Sequence, residues 1–407
     1  MMSLAELDLP YLAMEQPEFA ANPVPHFAAA RQKHPWLARC SAGYVVHQYA
    51  AIKDLVMRND EFRGSYDGIV ELMGAKATPW GRFTEAQMLA HDGEYHKKLR
   101  NVLAVKFLPK QANANRPLMR EVISSLLDEW APKQAFDFEE FASYFPITVM
   151  CRMIGASPTV VPGIRKSLEA LGLGFSMNRD HLPALQEAIV VLDNFVQQLV
   201  AERRAGQRPA SGPDLLDSLV ELPQEGRMTD RELYDVLIFL FVAGYDTSKN
   251  VLTMMMNLLL DRPEIYRRCA DDLAYCGPVV EEALRFNSPA TILRMTTKDV
   301  VYRDVLLPQG AMMFFPVSVA GRDPSAFDDP ERFDPERERE NKQIAFGRGT
   351  HICLGQFIAR AQLEEGLHLI AQRIRNPRRA GPSQWRPFYG VWGMKGLPIE
   401  FDSPSSH

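Results

Sequence analysis

Cys353 stands in the stretch Phe346-Gly347-Arg348-Gly349-Thr350-His351-Ile352-Cys353-Leu354-Gly355, which has three glycines in ten residues. Glycine permits positive φ, so such a loop can bend tightly around a sulfur and turn backbone N–H groups toward it. Those hydrogen bonds stabilise an anionic thiolate and tune a metal bound to it. Residues 356–374 read as a helix, which places Cys353 just before a helix N-terminus, where the dipole favours a thiolate. A zinc site is a poor match, because one His-x-Cys pair supplies too few ligands. The plain alternative is a buried cysteine in a Gly-rich turn.

Three further constellations carry polar chemistry. Ala243-Gly244-Tyr245-Asp246-Thr247 puts an acid and a hydroxyl inside an apolar helix. Thr247 can bond back to the carbonyl of Ala243, and Gly244 lets another group approach closely. Burying Asp246 is costly without a purpose or a partner. Glu282 and Arg285 are three apart, hence on one helical face. His96 and Arg100 are four apart, about one helical turn, and taken alone read as surface cations.

One helix is unusually well marked. Thr229 predicts an N-cap and Glu232 completes a capping box. The pattern then runs to Asp261-Arg262-Pro263, roughly 48 Å at 1.5 Å per residue. Its first half is apolar on nearly every side, as a helix crossing the core must be. Apolar three- and four-residue spacing is helical from about Arg116 to Leu260. Short β-like runs cover 43–48 and 299–315, and the Pro-, Asp- and Arg-rich 328–340 predicts an ordered irregular loop. The fold class is mainly α with minor β.

The 407 residues show no internal boundary, so one domain over 1–407 is expected, with 1–20 a partly ordered N-terminal segment. Net charge −5 argues against nucleic acid. Five cysteines without a C-x-x-C pair suit free thiols in a reducing compartment. There is no secretory signal pattern, and the longest apolar run, 236–244, falls far short of the ~20 residues of a membrane span. A cytoplasmic protein with no membrane association is expected.

The Cys353 loop resembles the haem-binding loop of the cytochrome P450 family at each of its fixed positions. The other motifs follow in that family's order from about Phe62 to the C-terminus. The resemblance implies a single-domain P450 fold with a long helix over the haem. It implies haem b, with Cys353 as the iron ligand and Phe346, Gly347, Gly355, Ala243 and Gly244 against the cofactor. His96, Arg100, Arg294 and His351 match the family's propionate contacts. Thr247 would hydrogen-bond iron-bound dioxygen, and Asp246 would relay protons to it. Glu282, Arg285 and Arg332 would form a buried structural ion-pair triad. Two departures stand out. Gly93-Glu94-Tyr95 replaces a stretch that commonly holds proline, and Gly321 precedes Arg322-Asp323-Pro324 where Asn is usual.

The same resemblance places the substrate pocket on the loop 69–89, the central helix and the strand after the Glu–Arg pair. Met73, Phe83, Phe239, Val242, Ala290, Ile292 and Leu293 would line it, with Phe175, Met177 and Trp392 as weaker candidates. This mostly apolar set fits a compact hydrophobic substrate: a terpenoid, steroid-like, aromatic or fatty compound. The implied reaction is monooxygenation with O₂ and two electrons from a ferredoxin and its NAD(P)H-linked reductase, by a monomer. Arg348, Arg360, Lys97 and Lys98 would offer the ferredoxin a basic patch. Alternatives are coupling or rearrangement, peroxygenation, or a haem-binding sensor or carrier without turnover. The Asp246–Thr247 pair argues against the last two, since neither needs protons delivered to dioxygen.

Overall fold

In the computed structural model, residues 2–208, 212, 214–338 and 340–402 are described. Among the described residues the architecture is helix-rich, with one five-stranded sheet and three smaller ones. Its axis is the helix Asp230–Leu259, 30 residues long. The helix starts as its sequence signals: the Glu232 N–H donates to Thr229 Oγ1 at 3.1 Å, and the Thr229 N–H donates to Glu232 Oε2 at 2.6 Å. It stops before Pro263, which opens the helix Pro263–Asp271 and could not continue the preceding one. Leu237 to Phe241 are consecutive and all buried, so no side of this stretch meets water.

Helix Phe138–Ile154 makes the most extensive packing on the central helix. A Cβ on Gly244 would lie 2.3 Å from Met150 Cε, the flexible end of a side chain on that helix. Helices Val161–Leu171 and Leu182–Arg204 cover the central helix further. The stretch expected as a loop over 69–89 is largely helical, with Tyr66–Leu72 and Pro79–Ala86. Thr78 caps the second of these by accepting from the Gly81 N–H at 3.2 Å, and Pro79 suits its first position.

The five-stranded sheet runs Leu37–Cys40, Gly43–Val46, Met312–Phe315, Ile292–Thr296 and Phe62–Gly64. Its pairs are antiparallel except Gly43–Val46 with Met312–Phe315. Arg294 pairs with Met313 on one side and Gly64 on the other, which fixes it in the middle of the sheet. Near the N-terminus, Met2–Ser3 pairs in parallel with Val305–Leu306, and Leu9, Leu12, Met14 and Phe19 are buried.

Glu282 and Arg285 form a fully buried bidentate pair, at 2.9 Å (Nε to Oε2) and 2.7 Å (Nη2 to Oε1). The expected third member is corrected. Arg332 contributes only its carbonyl, which accepts from Arg285 Nη2 at 3.0 Å, while its side chain is exposed beside Asp334. Arg337 comes to Glu282 instead, 3.6 Å away and nearly buried. Both arginines sit on the irregular loop, and only the path of that loop decides which one turns inward. Gly321 also acquires a reason: its carbonyl accepts from Arg285 Nη1 at 2.6 Å, and a Cβ there would lie 2.2 Å from the Arg285 carbonyl oxygen.

Removing one partner of a buried pair costs about 3–5 kcal/mol. Arg285→Met should therefore lower the thermal midpoint steeply, Arg337→Ala less, and Arg332→Ala little; equal effects at 332 and 337 would contradict this placement. A second expectation concerns pH. Burial alone would raise Glu232, but the Thr229 N–H, Lys98 and Tyr95 outweigh it and hold this carboxyl at about 2. A carboxyl depressed on folding stabilises fully above its unfolded value of ~4.3 and loses that contribution as pH falls toward the folded value. Glu232→Gln should cost stability at neutral pH, and the deficit should shrink between about pH 4 and 2 in thermal melts.

Candidate functional site

The cysteine loop turns on Gly347 and Gly349, at φ 69° and 71°. Both lie in the left-handed region, which side chains avoid. Gly355 has an ordinary φ of −82° and serves as N-cap of the helix Gln356–Arg373. The loop is pinned by the Cys353 N–H donating to the Phe346 carbonyl at 2.8 Å and the Gly347 N–H to Ile344 at 2.9 Å. All five cysteines are free; four are buried and Cys353 is exposed. Burial pushes the thiol up, and the Gly355 N–H, Arg100 and Arg360 pull it back. The donor and the two cations are placed for an anion, and coordination to a metal would complete the deprotonation.

The cations expected near the cofactor carboxylates converge. His96 and His351 stack with ring centroids 4.3 Å apart. Arg100 Nη2 donates to the Ile352 carbonyl at 2.7 Å, which ties helix Gly93–Ala104 to the cysteine loop. Arg294, largely buried, donates to the Leu293 carbonyl at 2.9 Å. His351 Nε2 meets Asp92 Oδ1 at 2.7 Å. Burial alone would raise Asp92, but His351 and Arg294 hold it below the usual range. Burial, with His351 and Arg100 nearby, pushes His96 down to about 4. Both ring nitrogens of His96, Nδ1 of His351 and Nε of Arg348 are buried without a hydrogen-bond partner. Orphaned buried donors are rare and call for an acceptor. Two carboxylates of a bound haem supply one, so the residues present fit that group.

On the central helix, Ala243 is exposed, Thr247 half-buried and Asp246 buried. Thr247 Oγ1 donates to the Ala243 carbonyl at 2.8 Å, as the i, i+4 spacing predicts. Asp246, the next residue in the chain before Thr247, lies in a buried polar cluster. Its Oδ1 takes Arg386 Nη1, Lys249 Nζ at 3.5 Å and Asn250 Nδ2 at 3.2 Å, while Oδ2 has no partner. A Cβ on Gly172 would lie 2.1 Å from that Oδ2, so the glycine admits the carboxylate. Burial would lower Arg386, but Asp246 overrides it and holds the guanidinium up. Sequence reasoning missed Arg386; nothing local marks it. It missed Lys249 as well, although an Asp–Lys i, i+3 spacing in a buried helix was there to be read.

The expected pocket residues divide. Val242, Ala290 and Ile292 are half-buried, whereas Met73, Phe83, Phe239 and Leu293 lie in the core. Ile292 approaches the cysteine loop: a Cβ on Gly347 would meet its Cδ1 at 3.4 Å. Leu293 follows Ile292 on one strand, so the two side chains point to opposite faces. Phe175 packs on Tyr66, with ring centroids 5.6 Å apart, and Met177 is half-buried. Trp392 is core: it stacks on Trp385 and its indole N–H donates to the Ala20 carbonyl at 2.9 Å.

Comparison with known proteins agrees with this geometry. The cytochrome P450 family model matches residues 173–376. Luteothin monooxygenase of Streptomyces thioluteus is 31% identical over 399 residues, covering 97% of this chain and 96% of that protein. Nocardicin C N-oxygenase of Nocardia uniformis subsp. tsuyamanensis is 32% identical over 307 residues, covering 74% of this chain and 75% of the other. Among solved structures, P450BioI in complex with hexadec-9Z-enoic acid ligated acyl carrier protein superposes with a TM-score of 0.85 at 23% identity, over 95% of this chain and 100% of that one. The chain belongs to the cytochrome P450 family, of the bacterial type, and is a P450 monooxygenase; the family implies a haem cofactor. Among the described residues, no helix is long and apolar enough to cross a membrane.

Cys353→Ala should abolish the red-shifted ferrous–CO band that marks a thiolate-ligated haem. An unchanged band would remove Cys353 as the ligand.

Proposed function

We propose that the enzyme hydroxylates, or otherwise oxidises, a compact hydrophobic substrate, using O₂ and two electrons from a ferredoxin and its NAD(P)H-linked reductase. The observation that carries this reading is the division of labour in the central helix. Thr247 faces outward one turn from the exposed Ala243, while the adjacent Asp246 is held in a buried, cation-lined recess. Haem b, held by Cys353 and by His96, Arg100, Arg294 and His351, supplies oxygen activation when bound.

The chain's own residues do the rest. Asp246 holds a proton-accepting carboxylate beside Thr247, and Thr247 presents a hydroxyl that can pass a proton on. The apolar surfaces of Val242, Ala290 and Ile292 exclude water and favour a ligand without charge. No flavin or iron–sulfur motif accompanies the site, which supports a separate electron donor. The expected basic patch is largely neutralised. Lys97 pairs with Glu94 at 2.7 Å, Lys98 with Glu232 at 2.9 Å and Arg360 with Glu281 at 2.6 Å. Lys106 and Lys110, both exposed just beyond the helix that touches the cysteine loop, suit an acidic donor better. The enzyme acts as a cytoplasmic monomer in this reading.

A spectral titration with apolar compounds of several shapes should identify ligands by a low-to-high spin shift; a response only to charged compounds would overturn the substrate class. Thr247→Ala should divert electrons from NADH into hydrogen peroxide. Unchanged peroxide yield would remove Thr247 from proton delivery.

A further inference from the structure

Lys249 is a buried cation that the reaction described above does not use. It is 2% exposed, one turn beyond Asp246 on the central helix. Its Nζ lies 2.5 Å from Glu139 Oε1 and 3.5 Å from Asp246 Oδ1. Glu139, in the first turn of helix Phe138–Ile154, keeps 16% of its side chain at the surface. The three groups thus form a chain of acid, base and acid from solvent to the neighbour of Thr247.

Burying an ammonium costs several kcal/mol unless it is closely paired. Asp246 already has Arg386 as counter-ion, so its charge is met without Lys249. The two cations differ in one property: a guanidinium does not release its proton in a protein, whereas a buried ammonium can. The rest of the surroundings holds the chain in place. The Tyr245 ring lies 5.5 Å from Nζ, Asn250 donates to Asp246, and Glu169 touches Tyr245 and, through its carbonyl, Arg386.

We propose that Glu139 and Lys249 feed protons from solvent to Asp246, with Arg386 as the fixed charge that positions the carboxylate. The Lys249 ammonium gives one proton to Asp246 Oδ1. The Glu139 carboxyl returns one to Nζ, and solvent hydronium reprotonates Glu139. The net change is one proton moved from solvent to Asp246. The inference rests on reading Asp246 and Thr247 as the proton-delivery pair.

The test compares Lys249→Arg, Lys249→Met, Glu139→Gln and Thr247→Ala in the haem-loaded protein. Each is supplied with NADH, a plant-type ferredoxin and its reductase, with no substrate added, and peroxide per NADH consumed is read. Lys249→Arg keeps the charge and both ion pairs but cannot pass a proton. It should hold the thermal midpoint within about 2 °C and still raise the peroxide share as far as Lys249→Met does. Wild-type peroxide yield in Lys249→Arg would overturn the relay and leave Lys249 a structural cation. If Thr247→Ala raises peroxide while Lys249→Arg does not, the relay fails alone; if Thr247→Ala is also silent, the underlying reading fails with it. A second measurement needs no turnover. In haem-free protein carrying ¹⁵N-lysine, exchange of the Lys249 Nζ hydrogens with solvent should slow on the order of 100-fold in Glu139→Gln. Unchanged exchange would remove Glu139 from the path.

Discussion

The structure depends on one constraint: a 30-residue helix that is largely buried, and closed from water on every side over Leu237 to Phe241, must still carry an acid, a hydroxyl and an ammonium. An apolar helix of this length organises a core by burial alone, because neighbouring helices gain from covering it. Polar groups within it are tolerated only where each meets a partner. Asp246 meets Arg386 and Asn250, Lys249 meets Glu139, and Thr247 satisfies its hydroxyl on its own helix. A glycine makes room at one such place: Gly172 admits the Asp246 carboxylate.

A second buried charge serves a different end. The Glu282–Arg285 pair holds three backbone carbonyls, those of Gly321, Pro330 and Arg332, through the remaining guanidinium donors. An irregular segment is thereby given a fixed path without secondary structure. That is the use to which a rigid fork with five donors is best suited. Gly321 fits the same contact, since a Cβ there would lie 2.2 Å from the Arg285 carbonyl oxygen.

The cofactor side shows a complementary logic. Both ring nitrogens of His96 and Nδ1 of His351 are buried polar atoms without a partner, and Cys353 alone of the five cysteines is exposed. Glycines at 347 and 349 let the loop turn, and Arg100 fastens it from a helix more than 250 positions earlier in the chain. Asp92 orients His351 from the residue preceding that same helix. Arg100 and Asp92 thus tie the cysteine loop to one helix and its first flanking residue.

Much of this was legible because it is local. The capping box, the i, i+4 bond from Thr247 to Ala243, the Glu282–Arg285 spacing and the Gly-rich turn are decided within a few residues, by hydrogen-bond reach and φ. Which cation meets which acid was not legible. Arg386 and Asp246 are 140 positions apart, and His351 and Asp92 are 259 apart. No spacing rule reaches that far. Arg332 and Arg337 differ by five positions on a loop without periodicity, so only its folded course turns one inward and the other to solvent. By itself, the sequence determined the helices, the glycines and the chemical types at the site. The tertiary structure decided the partners, because a buried charge is paired by what the packed chain brings within a few ångströms of it.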